Sequence, residues 1–386
     1  MSTVEEKQKE RTEVRSDLLA HKKPKRVFVN AGFSFEAACG LANIDIKTAN
    51  YDMALVEQAF DKVCETFPSD TMPAGGAFRH AFHTQFMGSK NWRMGSNGTF
   101  QHPEIEHMSP DEYDELIKDP FKFIMETIGP RTASRWGDDP FAKGMRLAAG
   151  YMIQQKLNGD LMAIQRKLSA KYGYVQGLIT HMTGATVPFD WLSNGFRGFV
   201  GINRDVRRCP DKVKAAVNAL LPLTLKRVIP PVTRPGLICF VPLHLGPFLN
   251  KKAFDDIYWP VMEKMTLELD KAGIACCFFV ESNWTRLCPY LERLPKSSIF
   301  YMEQGDPKVF SDTVGRDHII GGFYDPTITL TRSKEECIDA AKKLLDIVMK
   351  TGKYYFCFDK GVMHIKSIDV GKLQAVLEWV TENARY

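Results

Sequence analysis

The chain has 386 residues, of which 44% are hydrophobic and 25% charged, with a formal net charge of +5. Such composition is that of a folded globular protein and excludes a low-complexity disordered chain. The modest charge excludes a strongly basic nucleic-acid binder, and no apolar run approaches the ~20 residues that a helical membrane span requires.

Taken in chain order, residues 1–25 are charged and poor in apolar side chains, and they read as a tail or one loose amphipathic helix. They lack the apolar stretch of a signal peptide, and the basic cluster from His21 to Arg26 reads as solvated. RVFVNAGF is the first strand candidate and FEAACGLA a following helix. Leu55, Val56, Phe60 and Val63 have helical spacing. From Ser69 to Met108 the chain is rich in Gly, Phe, His and Asn without periodicity, which predicts one strand and long functional loops. Ser109, Pro110 and Glu112 form a helix-opening capping box, and Asp119-Pro120 starts another helix. Helical spacing then runs from Asp139 to Tyr172, interrupted near Asn158-Gly159, and Pro210 opens a helix through Leu220.

From Leu237 the pattern changes. LICFVPL leads to His244, ACCFFV to Glu281, SSIFYM to Glu303 and Asp306, HIIGGF to Tyr324 and Asp325, and YYFCF to Asp359 and Lys360. Runs that are apolar throughout suit strands buried on both faces of a parallel sheet, and helix-like segments between them suit βα units. Ser333 and Glu336 add a second capping box. The expected fold is α/β, a (β/α)₈ TIM barrel with long loops and helical additions at the C-terminal face. It forms one domain over residues 26–386. In such a barrel, polar residues that end strands face the active site.

His244 can therefore shuttle a proton or bind a metal, or else be satisfied by a loop carbonyl. Glu281, after six apolar residues, needs a cation, a metal or a raised pKa; a helix cap or a pair with Arg286 is the alternative. Asp306 is a catalytic candidate that equally suits a helix cap, and Lys360 either offsets an anion or pairs with Asp359. Gln101 and His102 can either contact a substrate or merely order their loop, and Asn283 and Trp284 are expected to shape the pocket. Nine scattered cysteines, Cys276 and Cys277 adjacent and no CxxC among them, argue for a reducing cytoplasm.

The stretches Phe35–Asp52, Gly95–Ile124, Phe196–Ala216, Ile257–Pro307 and Thr331–Val348 resemble the uroporphyrinogen decarboxylase superfamily. They are most similar to its cobalamin-dependent methyltransferase branch, of anaerobic methyl-group metabolism. The resemblance implies a (β/α)₈ barrel, a zinc that activates a methyl donor or thiol acceptor, and exchange of methyl groups with a separate corrinoid protein. The chain departs from it in two places. Relatives acting on coenzyme M carry His-x-Cys-Gly where this chain reads Phe279-Val280-Glu281-Ser282, and a further Cys where it reads Asp359-Lys360-Gly361. Glu281, with His244, is then the tentative zinc ligand. The decarboxylase's arginine-rich motif is missing after Arg26, so a substrate of many carboxylates lacks its cationic partners. The expected function is transfer of a methyl group from a small methylated compound, such as a methyl ether, to a corrinoid protein, by a cytoplasmic enzyme that can dimerise. The alternatives are decarboxylation of a tetrapyrrole or other carboxylated ligand, and a catalytically silent binding barrel.

Overall fold

The computed structural model describes residues 3–75, 78–137, 139–178, 183–234 and 236–386. The chain forms two compact units, one of Met1–Phe78, Asp160–His181 and Cys277–Tyr386, the other of Arg79–Gly159 and Met182–Cys276. The strands among the described residues are β1 (Phe28–Val29), β2 (Arg93–Met94), β3 (Phe100–Gln101), β4 (Thr183–Gly184), β5 (Leu237–Leu243), β6 (Ile274–Asn283), β7 (Ile299–Gln304), β8 (Ile319–Gly322) and β9 (Tyr354–Phe356). All pair in parallel except β2 and β3, which form an antiparallel hairpin. The fold is thus α/β, with parallel strands and a large helical share.

In the first unit the strand order is β1-β9-β8-β7-β6. The apolar runs read from the sequence fill these strands: β8 and β9 are buried at every position, and β7 is buried from Ile299 to Met302. Register puts Phe278 beside Phe300 and Phe279 beside Tyr301, with ring centroids 5.5 and 4.5 Å apart. Successive residues point to opposite faces, so both faces of the sheet are packed with rings. Each such side chain contributes about 1.5–3 kcal/mol on burial. At the end of β8, Gly322 has φ +100°, and a Cβ there would meet the Met302 carbonyl oxygen at 2.1 Å. Only glycine allows β7 and β8 to run this close at their functional end.

The helices that follow these strands begin where the sequence says. Ser333 Oγ accepts from the Glu336 amide at 3.2 Å and Glu336 Oε2 from the Ser333 amide at 2.8 Å, heading the helix Lys334–Val348. The charged start of the chain takes the helical one of its two expected forms. It forms the helix Val4–Leu19, with Val14 and Leu18 buried and Arg11 donating to the carbonyls of Tyr172 (2.7 Å) and Gly173 (3.0 Å). The doubly bonded pair of Arg26 with Asp70, at 2.7 and 2.8 Å, closes this side of the unit.

In the second unit β4 pairs with β5, Thr183 opposite Cys239. Its helices include Pro188–Leu192, Gly198–Arg208, Pro210–Val228 and Trp259–Lys271. The helix from Pro210 continues past Leu220 because its buried row, including Leu221, Thr224 and Val228, outweighs the hydrogen bond lost at Pro222. The helix Pro140–Tyr172 is continuous through Asn158-Gly159, a single helical glycine costing only about 1 kcal/mol. Among the described residues no helix is long and apolar enough to cross a membrane.

Candidate functional site

Polar side chains collect at the C-terminal ends of the parallel strands in each unit. In the first unit the centre is Glu303, the residue after the buried run of β7. Its Oε2 accepts from the Ser282 amide at 2.7 Å and its Oε1 from Lys360 Nζ at 3.3 Å. The Ser282 amide can aim there because the β6–β7 register shifts between Val280 and Asn283, and Ser282 itself has φ 64°. A bulge of this kind turns a strand end and re-aims its side chains. Phe323, just after β8, is a second non-glycine residue with positive φ, at 69°. Two left-handed residues at the ends of β6 and β8, the strands on either side of β7, are the local strain that sites tend to hold.

Asp359, after β9, completes this group. Burial pushes its carboxyl up to about 6; Asp325 and Glu303 add to the rise, while the Lys360 amide and ammonium oppose it. That amide lies 2.6 Å from Asp359 Oδ1. Near neutrality such a group exchanges a proton readily.

In the second unit the centre is Asp190, fully buried in the helix Pro188–Leu192. Its carboxylate accepts from the amides of His244 (3.2 Å) and Leu245 (3.1 Å), the first two residues past β5, and from the Tyr258 hydroxyl at 2.9 Å. Burial raises its pKa to about 6, against the pull of the His244 charge and of these hydrogen bonds. Next to it in the electrostatics is His102, which follows the hairpin strand β3. Burial, then Arg79 and His244, hold the His102 imidazole below its ordinary value, so it is neutral at pH 7. The Arg79 guanidinium lies over the Trp92 ring at 3.1 Å, and Trp92 meets His102 edge-on at 4.7 Å.

The expected site residues thus fall into two groups. His244 and His102 are electrostatically coupled in the second unit, with Gln101 exposed on the same hairpin. Lys360 joins Glu303 in the first unit, where Glu281 sits in the bulge and Asn283 is exposed at the strand end. Trp284 is fully buried and donates to the Glu281 carbonyl at 2.9 Å, so its indole anchors the bulge from the core. Asp306 is exposed and caps the helix Pro307–Asp312, accepting from the Lys308 amide at 2.8 Å. The cap is one of the two readings its position allows, and it forms. Asp190, Glu303 and Asp359 were not singled out as site residues from sequence. The signal for Asp190 is a lone carboxylate between Phe189 and Trp191, a charge that has to be satisfied.

For zinc, the donor set fits poorly. Among the described residues no three His, Cys, Asp or Glu side chains are grouped as a metal needs, at His244 and Glu281 or elsewhere. Burial holds the thiols of Cys39, Cys64, Cys288 and Cys357 in the protonated form at neutral pH.

No protein-family model matches the chain, and no curated protein matches it in sequence. Among solved structures the chain is similar to a methyltransferase from Methanosarcina mazei, with a TM-score of 0.61 and 10% sequence identity. The match covers 99% of this chain and 99% of that one, so the two share a fold over their whole lengths.

Proposed function

We propose that this protein is a methyltransferase with a (β/α)₈ barrel fold. In this reading it moves a methyl group from a small methylated compound, such as a methyl ether, to a corrinoid carried by a separate protein. The observation that carries the reading is the full-length likeness in fold to a solved methyltransferase. Acid–base groups at the C-terminal strand ends, where barrel enzymes do their chemistry, support it.

The corrinoid, when bound, supplies the nucleophile that takes the methyl carbon. The work left to this chain is the proton and the charge on the oxygen that loses its methyl group. An alkoxide is a poor leaving group, so a proton must reach it as the C–O bond breaks. Asp190 accepts from the His244 amide at 3.2 Å, which ties His244 to the end of β5. His244 is the proposed donor, with Asp190 fixing the backbone at the end of β5. Lys360, 53% exposed and held by Glu303, offsets developing negative charge. Glu281, carried on its bulge, is the proposed contact to the donor's polar group. Gln101, His102 and Asn283 are proposed to line the approach.

The test is a donor screen with reduced free cobalamin, following the spectral change on methylation. Methoxylated aromatics, methanol and methylamines are offered separately. The reading expects turnover with at least one donor, lost in H244A and E281Q while both variants stay folded by circular dichroism. Decarboxylation of a carboxylated compound with no methylation by any donor would overturn it.

A further inference from the structure

The helix Gly198–Arg208 in the second unit has two unlike faces. Its inner face, with Gly201, Ile202 and Asp205, is buried. Asp205 accepts from Arg197 Nε at 2.5 Å and from the Tyr113 hydroxyl at 2.8 Å, and Arg197 also donates to Glu106 at 3.2 Å. Arg197 and Asp205 are both only 2% exposed, so the pair fixes the roll of the helix. Breaking such a pair leaves a buried charge unmatched, which keeps the other face turned outward.

That outer face consists of two rows at four-residue spacing, Phe199-Asn203-Arg207 and Val200-Arg204-Arg208. It is apolar at the N-terminal end and cationic at the other. Phe199 is 43% exposed, Val200 45% and the adjoining Phe248 55%, with the two Phe rings meeting edge to face at 5.5 Å. Among the described residues, Arg204, Arg207 and Arg208 have no carboxylate partner, whereas Lys251, Lys252, Lys271 and Lys308 each have one. A cavity of about 410 Å³ lies along this face, and all six of its lining residues come from this one helix.

The single wall identifies the class of ligand. A small-molecule pocket encloses most of its ligand, which one helix face cannot do. Three unmatched guanidinium groups call for carboxylates, and the exposed Phe199, Val200 and Phe248 call for an apolar side chain at the centre of the contact. Aromatic residues and arginine, with few lysines, are the composition of protein interfaces. A nucleic acid would leave the apolar half unmatched, and the net charge of +5 is small for such a role. We propose that the outer face of Gly198–Arg208 docks an acidic protein partner. Its carboxylates meet Arg204, Arg207 and Arg208, and its apolar side chain seats on Phe199, Val200 and Phe248. The inference is independent of methyl transfer.

The test uses the full chain and fluorescein-labelled peptides that carry a central Phe, Leu or Trp between runs of Glu, read by fluorescence anisotropy. Binding is expected to fall about tenfold or more when Arg204, Arg207 and Arg208 are all changed to Glu, several-fold in F199S, and with rising salt. All four residues are exposed, so these variants should fold, which circular dichroism checks. Four binding outcomes and one assembly outcome would overturn the proposal. The binding outcomes are no binding by any acidic peptide, binding indifferent to these substitutions, equal competition by inorganic phosphate with no role for Phe199, and preference for a DNA duplex. Self-association that the triple variant abolishes would instead identify the occupant as a second copy of this chain, and also overturn it.

Discussion

Replacing Asp190 by Asn tests the electrostatics of the second-unit cluster most sharply. The Asp190 carboxyl is buried and its pKa rises from 3.8 to about 6. At ~1.4 kcal/mol per pH unit, holding it ionised in the fold costs about 3 kcal/mol relative to the unfolded chain. The sign follows from proton binding. Below about pH 4 the carboxyl is neutral in both states and nothing is lost. Between about pH 4 and pH 6 the unfolded chain releases its proton first, so stability falls with rising pH; above about pH 6 the loss is complete and constant. Asparagine's single oxygen can keep either the Leu245 amide, which bonds Oδ1, or the His244 amide and Tyr258 hydroxyl, which bond Oδ2, and its NH₂ faces a donor on the other side, a roughly constant penalty of about 1–3 kcal/mol. The difference between wild type and D190N, measured by urea midpoints from pH 4 to pH 8, should therefore move by about 3 kcal/mol in favour of the variant as pH rises through that window. A difference that stays flat, or moves the other way, would refute a buried and ionised Asp190.

Three further predictions rest on other groups. Gly322→Ala should unfold the first unit or cost several kcal/mol, since its Cβ would meet the Met302 oxygen at 2.1 Å with φ at +100°; thermal melting checks this. Asp306→Ala should lose about 1 kcal/mol, the worth of a helix cap, with turnover unchanged, and a large loss of turnover would assign Asp306 a catalytic role beside its cap. Arg197→Ala should destabilise the second unit by about 3–5 kcal/mol, read by denaturant unfolding, because Asp205 is left buried without its partner.

Much of the strand architecture was legible in the sequence. Strands β5 to β9 announce themselves as apolar runs, and both capping boxes, at Ser109 and Ser333, form as read. What hid is short or depends on distant partners. Strand β4 is only Thr183–Gly184, set in Thr-Gly-Ala-Thr with no apolar run, and it is defined by its pairing to Cys239 and Phe240. The docking of Val4–Leu19 rests on just two buried side chains and on carbonyls far along the chain, at Tyr172 and Gly173. Position after an apolar run pointed to His244, Glu281 and Lys360, and these lie at or just past the ends of β5, β6 and β9. It did not find Asp190, which lies on a helix and acts through amides 54 and 55 residues away. Nor could it give the bulge at Glu281, since a shift in register is a property of two strands together.

The central claim is tested most directly by tracing the methyl group itself. The protein would be incubated with reduced cobalamin and the ¹³C-methyl form of whichever donor supports turnover, or of each donor in turn, and the label followed by mass spectrometry. The account predicts label on the cobalamin together with the demethylated donor in equal amount, both absent in H244A. Label remaining wholly on the donors, with carbon dioxide released from a carboxylated compound instead, would contradict it.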